Sequence, residues 1–270
     1  MTQVGNALHS VFGSKNMDAI RARNAEIVVR CEEHGEFSHS SMQEFWMHPL
    51  RPGECPKCHM VKQERIQREQ RLKAAVLFFR SGSGVPARFQ EASLDNYRPE
   101  NGKAQKILAT LREYTAKFEQ HRRLGLSLIL CGKTGTGKTH LACAVLRELA
   151  LTLGVCGKYS TAYKAVQEIR SSYKSDRVTE LQALEEFIKP DILVLDEIGM
   201  QLGTDSEHLL LFSLLNGRYE ELKPTIVISN LTLEEVKKYL NDRIYDRLRE
   251  NGGGVLAFDW ESWRQKGGKQ

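Results

Sequence analysis

Gly132-Lys133-Thr134-Gly135-Thr136-Gly137-Lys138-Thr139 decides how this chain folds. It is a complete P-loop, and each residue type has a separate task on a nucleoside triphosphate. The glycines let backbone N–H groups approach phosphate oxygens, Lys138 brings a point charge to the outer phosphates, and the Thr139 hydroxyl is offered to Mg2+. A helix that starts here turns its positive end toward the same anion. The motif requires a strand before it and a helix after it. Residues 126–131 form an apolar run that reads as a buried strand, and residues 140–153 have helical composition.

From about residue 101 the same alternation continues. Strands are expected at 155–160, 191–196, 225–229 and 255–258, and helices at 103–123, 163–173, 178–188, 206–222, 233–240 and 243–250. The strands are apolar without alternating, which is the pattern of a parallel sheet covered on both faces. The fold class is therefore α/β.

A second motif completes the site. Ile192-Leu193-Val194-Leu195-Asp196-Glu197 is an apolar strand ending in two acids, a Walker B pattern. Ligands of open parallel sheets bind at the carboxyl ends of strands, so Asp196 is expected beside the P-loop, holding Mg2+ through its water shell. Glu197 is placed to polarise the water that attacks the γ-phosphate. The next strand ends at Asn230, whose amide can orient that water. Arg243, Arg247 and Arg249 interleave with Asp242, Asp246 and Glu250. Their spacing fits either a salt-bridged exposed face or an arginine finger.

Residues 1–60 have a different character. They hold Cys31, Cys55 and Cys58 together with His9, His34, His39, His48 and His59. Cys31-Glu32-Glu33-His34 and Cys55-Pro56-Lys57-Cys58 form a C-x2-H and C-x2-C pair separated by 20 residues. Two such knuckles let four ligands converge tetrahedrally on Zn2+. The fourth ligand stays open between His34, His39 and His59. With four protein ligands the site is read as structural. Residues 61–98 comprise a basic helix, carrying Lys62, Arg65, Arg68, Arg71 and Lys73, and a proline-containing linker; residues 99–270 form the nucleotide domain.

Composition narrows the setting. A chain of 270 residues with 41% hydrophobic content can bury a core, yet no apolar run reaches the length of a membrane span. The first residues show no secretory leader. Cys131, Cys143 and Cys156 fall on core elements as free thiols, and reduced thiols beside a nucleotide site point to the cytoplasm. The net charge of +5, from 39 basic and 34 acidic residues, permits an anionic partner without requiring one.

The order GKTGTGKT, ILVLDE, IVISN, DRIYDRLR and FDWESWR resembles the DnaC-type replicative helicase loaders and the related IstB-like ATPases of transposition, within the AAA+ class. The likeness covers about residues 85–270 and includes Gly84-Val85-Pro86-Ala87-Arg88-Phe89 and Leu94-Asp95-Asn96-Tyr97. It implies an AAA+ P-loop NTPase core with a parallel sheet flanked by helices, to which this chain adds a small N-terminal zinc-binding domain. Asn230 takes the sensor 1 position, Arg247 with Arg243 beside it the arginine finger, and Arg264 the sensor 2 position. Few residues follow the last strand, too few for the helical lid of most AAA+ proteins. The resemblance further implies single-stranded DNA contact from residues 159–174, through Lys164, Arg170, Tyr173 and Lys174. It also implies ATP and Mg2+ as cofactors, an ATP-dependent homo-oligomer and a DnaB-type helicase as partner. Residues 1–80 are then a grip on the helicase or a nucleic-acid-binding module. Two alternatives stand beside the loader: an IstB-like helper of transposition, and a zinc-dependent DNA-binding scaffold with a vestigial ATPase. Every catalytic position is filled, which argues against the scaffold.

Overall fold

The computed structural model describes residues 27–39, 55–172, 179–199 and 205–263. These divide into two compact units after Glu69. In the first unit β1 (Ile27–Cys31) and β2 (Gly35–His39) form an antiparallel hairpin. The helix α1 (Pro56–Ser81) begins in this unit. Pro56 stands in its first turn, where the missing N–H costs nothing and the fixed φ suits a helix.

The second unit is built on five parallel strands: β3 (Leu128–Gly132), β4 (Gly157–Thr161), β5 (Ile192–Ile198), β6 (Thr225–Ser229) and β7 (Gly254–Phe258). Their spatial order is β4-β5-β6-β3-β7. The pleat sends alternate residues to opposite faces. Leu128, Leu130, Ile192, Val194, Ile226 and Ile228 enter one core, while Ile129, Cys131, Leu193, Leu195 and Val227 enter the other. This two-sided burial explains the continuous apolar runs. Each fully buried Leu or Ile contributes about 1.5–3 kcal/mol relative to exposure.

The first face is covered by α2 (Gly102–Ala116), α3 (Phe118–Arg123) and α4 (Lys138–Leu153), which supply Leu111, Phe118, Leu141, Leu146 and Leu149. The proline-containing stretch before α2 also adds Val85, Ala92 and Leu94 to this core. The other face is covered by α5 (Ala162–Ser171), α6 (Glu180–Ile188), α7 (Asp205–Glu220) and α8 (Leu233–Arg249). Capping boxes at Thr179 and Thr232 start α6 and α8.

One helical expectation is corrected and another is met. The single helix expected at 103–123 is broken at Lys117, and the break lets His121 stack on Tyr114 with ring centroids 4.9 Å apart. The two helices expected at 233–240 and 243–250 are the two halves of α8, separated by non-helical backbone at Asn241, where φ is 59° and ψ 162°. The Asn241 side chain accepts the Ile244 N–H at 3.1 Å, so a cap sits inside the element. Among the described residues no helix is long and apolar enough to cross a membrane.

Candidate functional site

The P-loop leaves the carboxyl end of β3, and α4 starts at its Lys138. Its amide ends point back at the loop, favouring an anion there. Gly137 adopts φ 95°, and a Cβ on it would lie 2.6 Å from the Tyr97 ring, so no other residue fits. Lys138 Nζ donates to the carbonyls of Gly132 and Lys133, both at 2.7 Å, which holds the ammonium over the loop.

Because β6 lies between β3 and β5, its tip residue Asn230 emerges between the P-loop and the acid pair. Thr134, Gly135, Thr136, Gly137, Lys138, Thr139, Asp196, Glu197 and Asn230 line one cavity of about 640 Å3. Phe89, Tyr97, Trp260 and Trp263 add aromatic walls. Neither Arg243 nor Arg247 is among the described residues that line it. Arg247 instead stacks over the Tyr219 ring at 4.8 Å, and Arg243 borders a separate hollow with Leu209 and Phe212. Arg264 lies outside the described residues.

The acid pair sits on a local irregularity. The β5–β6 register shifts between Leu195 and Ile198, and Glu197 takes a positive φ of 61°. A bulge of this kind re-aims side chains beside a site. Asp196 is buried, with Oδ2 accepting from Thr139 Oγ1 at 2.8 Å and from the Tyr159 hydroxyl at 2.9 Å. Its Oδ1 accepts the Glu197 N–H at 2.7 Å. Glu197 is exposed at the cavity. A hydroxyl and a carboxylate converging from the loop and from β5 are the donor set of a Mg2+–triphosphate site, so these residues fit that group.

Three contacts join residues that no single motif pairs. The Tyr97 hydroxyl donates to the Thr136 carbonyl at 3.1 Å, and burial, then Glu100, push that phenol up to about 12, so it remains a donor. The backbone N–H of Trp263 donates to the Gly135 carbonyl at 3.0 Å, bringing the C-terminal segment onto the loop. Tyr159 reaches Asp196.

Of the residues expected to meet DNA, the two that are described, Lys164 and Arg170, each pair with an acid. Lys164 pairs with Glu168 at 3.6 Å, and Arg170 pairs with the buried Glu207 of α7, which Gln167 also contacts at 3.1 Å. Tyr173 and Lys174 lie outside the described residues.

In the N-terminal unit Cys31 ends β1, His34 lies in the following turn, and Cys55 and Cys58 flank the start of α1. Their ligand atoms all lie within 4.8 Å of one another. His34 Nδ1 stands 3.7, 3.7 and 3.4 Å from the sulfurs of Cys31, Cys55 and Cys58, and the Cys31 and Cys58 sulfurs are 3.6 Å apart. Sulfur and nitrogen ligands on a tetrahedral zinc stand about 3.5–3.8 Å apart, so this set fits the ion, with His34 filling the place left open between three histidines. The His34 imidazole draws the Cys31 thiol down to about 6, and the Cys31 sulfur pushes Cys58 up to about 12. Zinc is bound by thiolates and a neutral imidazole, so loading this set would release thiol protons.

The fold and the cavity define a P-loop ATP-binding domain of the AAA+ class. The sequence profile described as "IstB-like ATP binding protein" matches residues 57–270, and the chain belongs to that family. It is 30% identical over 207 residues to the replicative helicase loader DnaC of Escherichia coli (strain K12), covering 76% of this chain and 82% of that one. The crystal structure of the DnaC helicase loader superposes with a TM-score of 0.59 at 24% identity, over 64% of this chain and all of that one. The structure of DnaI has a TM-score of 0.52 at 22% identity, over 66% and 93%.

Proposed function

We propose that this chain is an ATPase that delivers a DnaB-type replicative helicase onto single-stranded DNA and releases it on ATP hydrolysis. The observation that carries this reading is Asn230 standing between the P-loop and Asp196–Glu197, in a chain 30% identical to a replicative helicase loader. Lys138 and the loop amides neutralise the outer phosphates, and Thr139 and Asp196 would hold Mg2+, which would supply further positive charge to the phosphates. Glu197 polarises the attacking water and Asn230 orients it. Arg247 of a second copy, with Arg243 beside it, completes the site, which fits its absence from the lining of the cavity in its own chain. Arg264 reports on the nucleotide of its own subunit. Such catalysis is positioning and charge neutralisation.

Residues 1–60 form the zinc-bound module that grips the partner, residues 61–98 connect it, and residues 99–270 form the ATPase domain working in the cytoplasm. Single-stranded DNA meets α5 and the residues after it. The exposed Lys164–Glu168 pair is worth about 0.3–0.5 kcal/mol and yields readily to a phosphate. A contact from Arg170 requires its pair with Glu207 to open, whereas Tyr173 and Lys174 follow α5 in sequence.

ATP turnover of the purified chain, alone and with single-stranded DNA and the helicase of the same cell, tests the proposal. Turnover is slow alone and rises with the partners. Rapid hydrolysis by a monomer, unchanged by either addition, contradicts a loader. The matching IstB-like family favours one second reading, a helper of transposition acting on double-stranded DNA. Capture of a transposase, with no capture of the helicase, selects it.

A further inference from the structure

Asp196 is the buried carboxylate of the nucleotide site, and two hydroxyls share its Oδ2. One, Thr139, belongs to the P-loop. The other, Tyr159, lies on β4, the strand beyond β5, and no phosphate-binding motif includes it. In the sheet register Tyr159 lies opposite Val194 and Thr161 opposite Asp196, so the phenol reaches along β5 to the carboxylate at its end. The ring is buried, and its hydroxyl donates to Asp196 Oδ2 at 2.9 Å.

The backbone of Tyr159 is tied on its other side. Its N–H donates to the Ser83 carbonyl at 2.7 Å, and a Cβ on Gly84, which has φ 77°, would collide with the Tyr159 carbonyl oxygen. Ser83 is itself fixed, its hydroxyl donating to the Phe79 carbonyl at 2.6 Å and accepting from the Val85 N–H at 3.2 Å. One residue therefore joins the segment Ser83–Val85, after α1, to the carboxylate at the nucleotide.

We infer that Tyr159 is a positioning residue for Asp196, setting its orientation toward Mg2+ and making that orientation depend on the backbone seat of Ser83 and Gly84. This rests on the proposed reading of the cavity as a Mg2+–ATP site. A donor behind a ligating carboxylate fixes its rotamer, and loss of such a partner typically weakens metal binding by about 10–100-fold.

The test is equilibrium binding of a fluorescent ATP analogue to the full chain, titrated with Mg2+ and repeated in EDTA. Tyr159→Phe keeps the ring and removes one hydroxyl. Tyr114→Phe is the control, because Tyr114 is equally buried and its hydroxyl donates to the Leu126 carbonyl at 2.9 Å. Tyr159→Phe is expected to raise the Mg2+ concentration at half-saturation about ten-fold. Affinity in EDTA should stay within about two-fold, with the control matching the wild type in both conditions. Gly84→Ala should shift the Mg2+ titration in the same direction. Superimposable Mg2+ titrations for wild type and Tyr159→Phe overturn the inference, as does an equal loss in EDTA, or an equal shift in the Tyr114→Phe control. A wild-type chain that binds no nucleotide with Mg2+ would instead remove the underlying reading of the site.

Discussion

Thr139 donates its hydroxyl to Asp196 at 2.8 Å, joining the end of the phosphate loop to the end of β5 across the tip of β6. The carboxylate is 6% exposed, so its charge is satisfied by these donors and by whatever cation the pair holds. Asp196→Asn should therefore abolish the Mg2+-dependent part of ATP affinity. Glu197→Gln, at the exposed next position, should leave ATP affinity within about two-fold and lower turnover by about 10²–10⁴-fold. Equilibrium binding and steady-state hydrolysis on the two variants separate holding from activating. Equal defects in both would assign the two acids one shared role.

Arg247 stacks on Tyr219 and does not border the cavity of its own chain. If a second copy receives it, Arg247→Ala and Glu197→Gln are each inactive alone, and mixing them restores turnover at sites with an intact Glu197 from one variant and an intact Arg247 from the other. No recovery at any mixing ratio would place Arg247 outside the reaction.

Much of this arrangement was legible in the sequence, because motif and pattern coincide. The runs before Gly132 and Asp196 announced buried strands by lacking alternation, and the two acids announced the end of β5. Other features depend on which elements become neighbours. No local pattern says that β6 inserts between β3 and β5, bringing Asn230 to the loop. Tyr159 and Tyr97 meet Asp196 and Thr136 across long sequence separations without a shared motif. The break between the last two helices was legible, and the structure adds its cause: Asn241 leaves helical backbone and caps Ile244. Arg170 looked free for phosphate because Glu207 reaches it only through the packing of α5 against α7. Three histidines competed for one zinc position until the turn after β1 placed His34 against three sulfurs.

That cluster predicts one zinc ion per chain. Cys58→Ser removes the sulfur lying 3.4 Å from His34 Nδ1 and 3.6 Å from the Cys31 sulfur. It should abolish stoichiometric zinc and expose the hairpin β1–β2 to proteolysis, while leaving ATP binding intact. Metal analysis and limited proteolysis report the two effects. Full zinc content in the variant would exclude Cys58 as a ligand.

Arg218 is 0% exposed and donates to the carbonyls of Phe187, Ile188, Pro190 and Pro224 and to the Thr225 hydroxyl, at 2.7–3.0 Å. Burial pulls its pKa down to about 9, with Tyr114 and Asp191 acting in the opposite direction. The guanidinium closes the end of α6 and the entry to β6. Arg218→Met leaves several buried carbonyls without donors and should cost about 3–5 kcal/mol. Urea denaturation measures it, and a loss below about 1 kcal/mol would mean the carbonyls find other donors.

His140 follows the P-loop, with Nε2 at 3.3 Å from the Ser93 carbonyl, and burial holds its pKa below the ordinary value. A histidine depressed in the folded state contributes stability that is present above the unfolded value of about 6.5 and is lost as pH falls through the folded value. Lowering the pH from about 7.5 to about 5 should therefore reduce the melting temperature, and His140→Gln should lose less over the same interval. Identical pH profiles for the two would show that His140 does not carry the acid sensitivity.

If nucleotide chemistry at Lys138, Asp196 and Glu197 controls a grip on a replicative helicase, the grip must change as ATP is consumed. The decisive quantity is the mass of the species formed when the chain is mixed with the DnaB-type helicase of the same cell, with ATP and single-stranded DNA added in turn. A defined complex is expected in ATP, dissolving as hydrolysis proceeds in the wild type and persisting in the Glu197→Gln variant. No complex under any nucleotide condition, or a complex whose lifetime is unchanged by Glu197→Gln, would contradict a nucleotide-controlled loader.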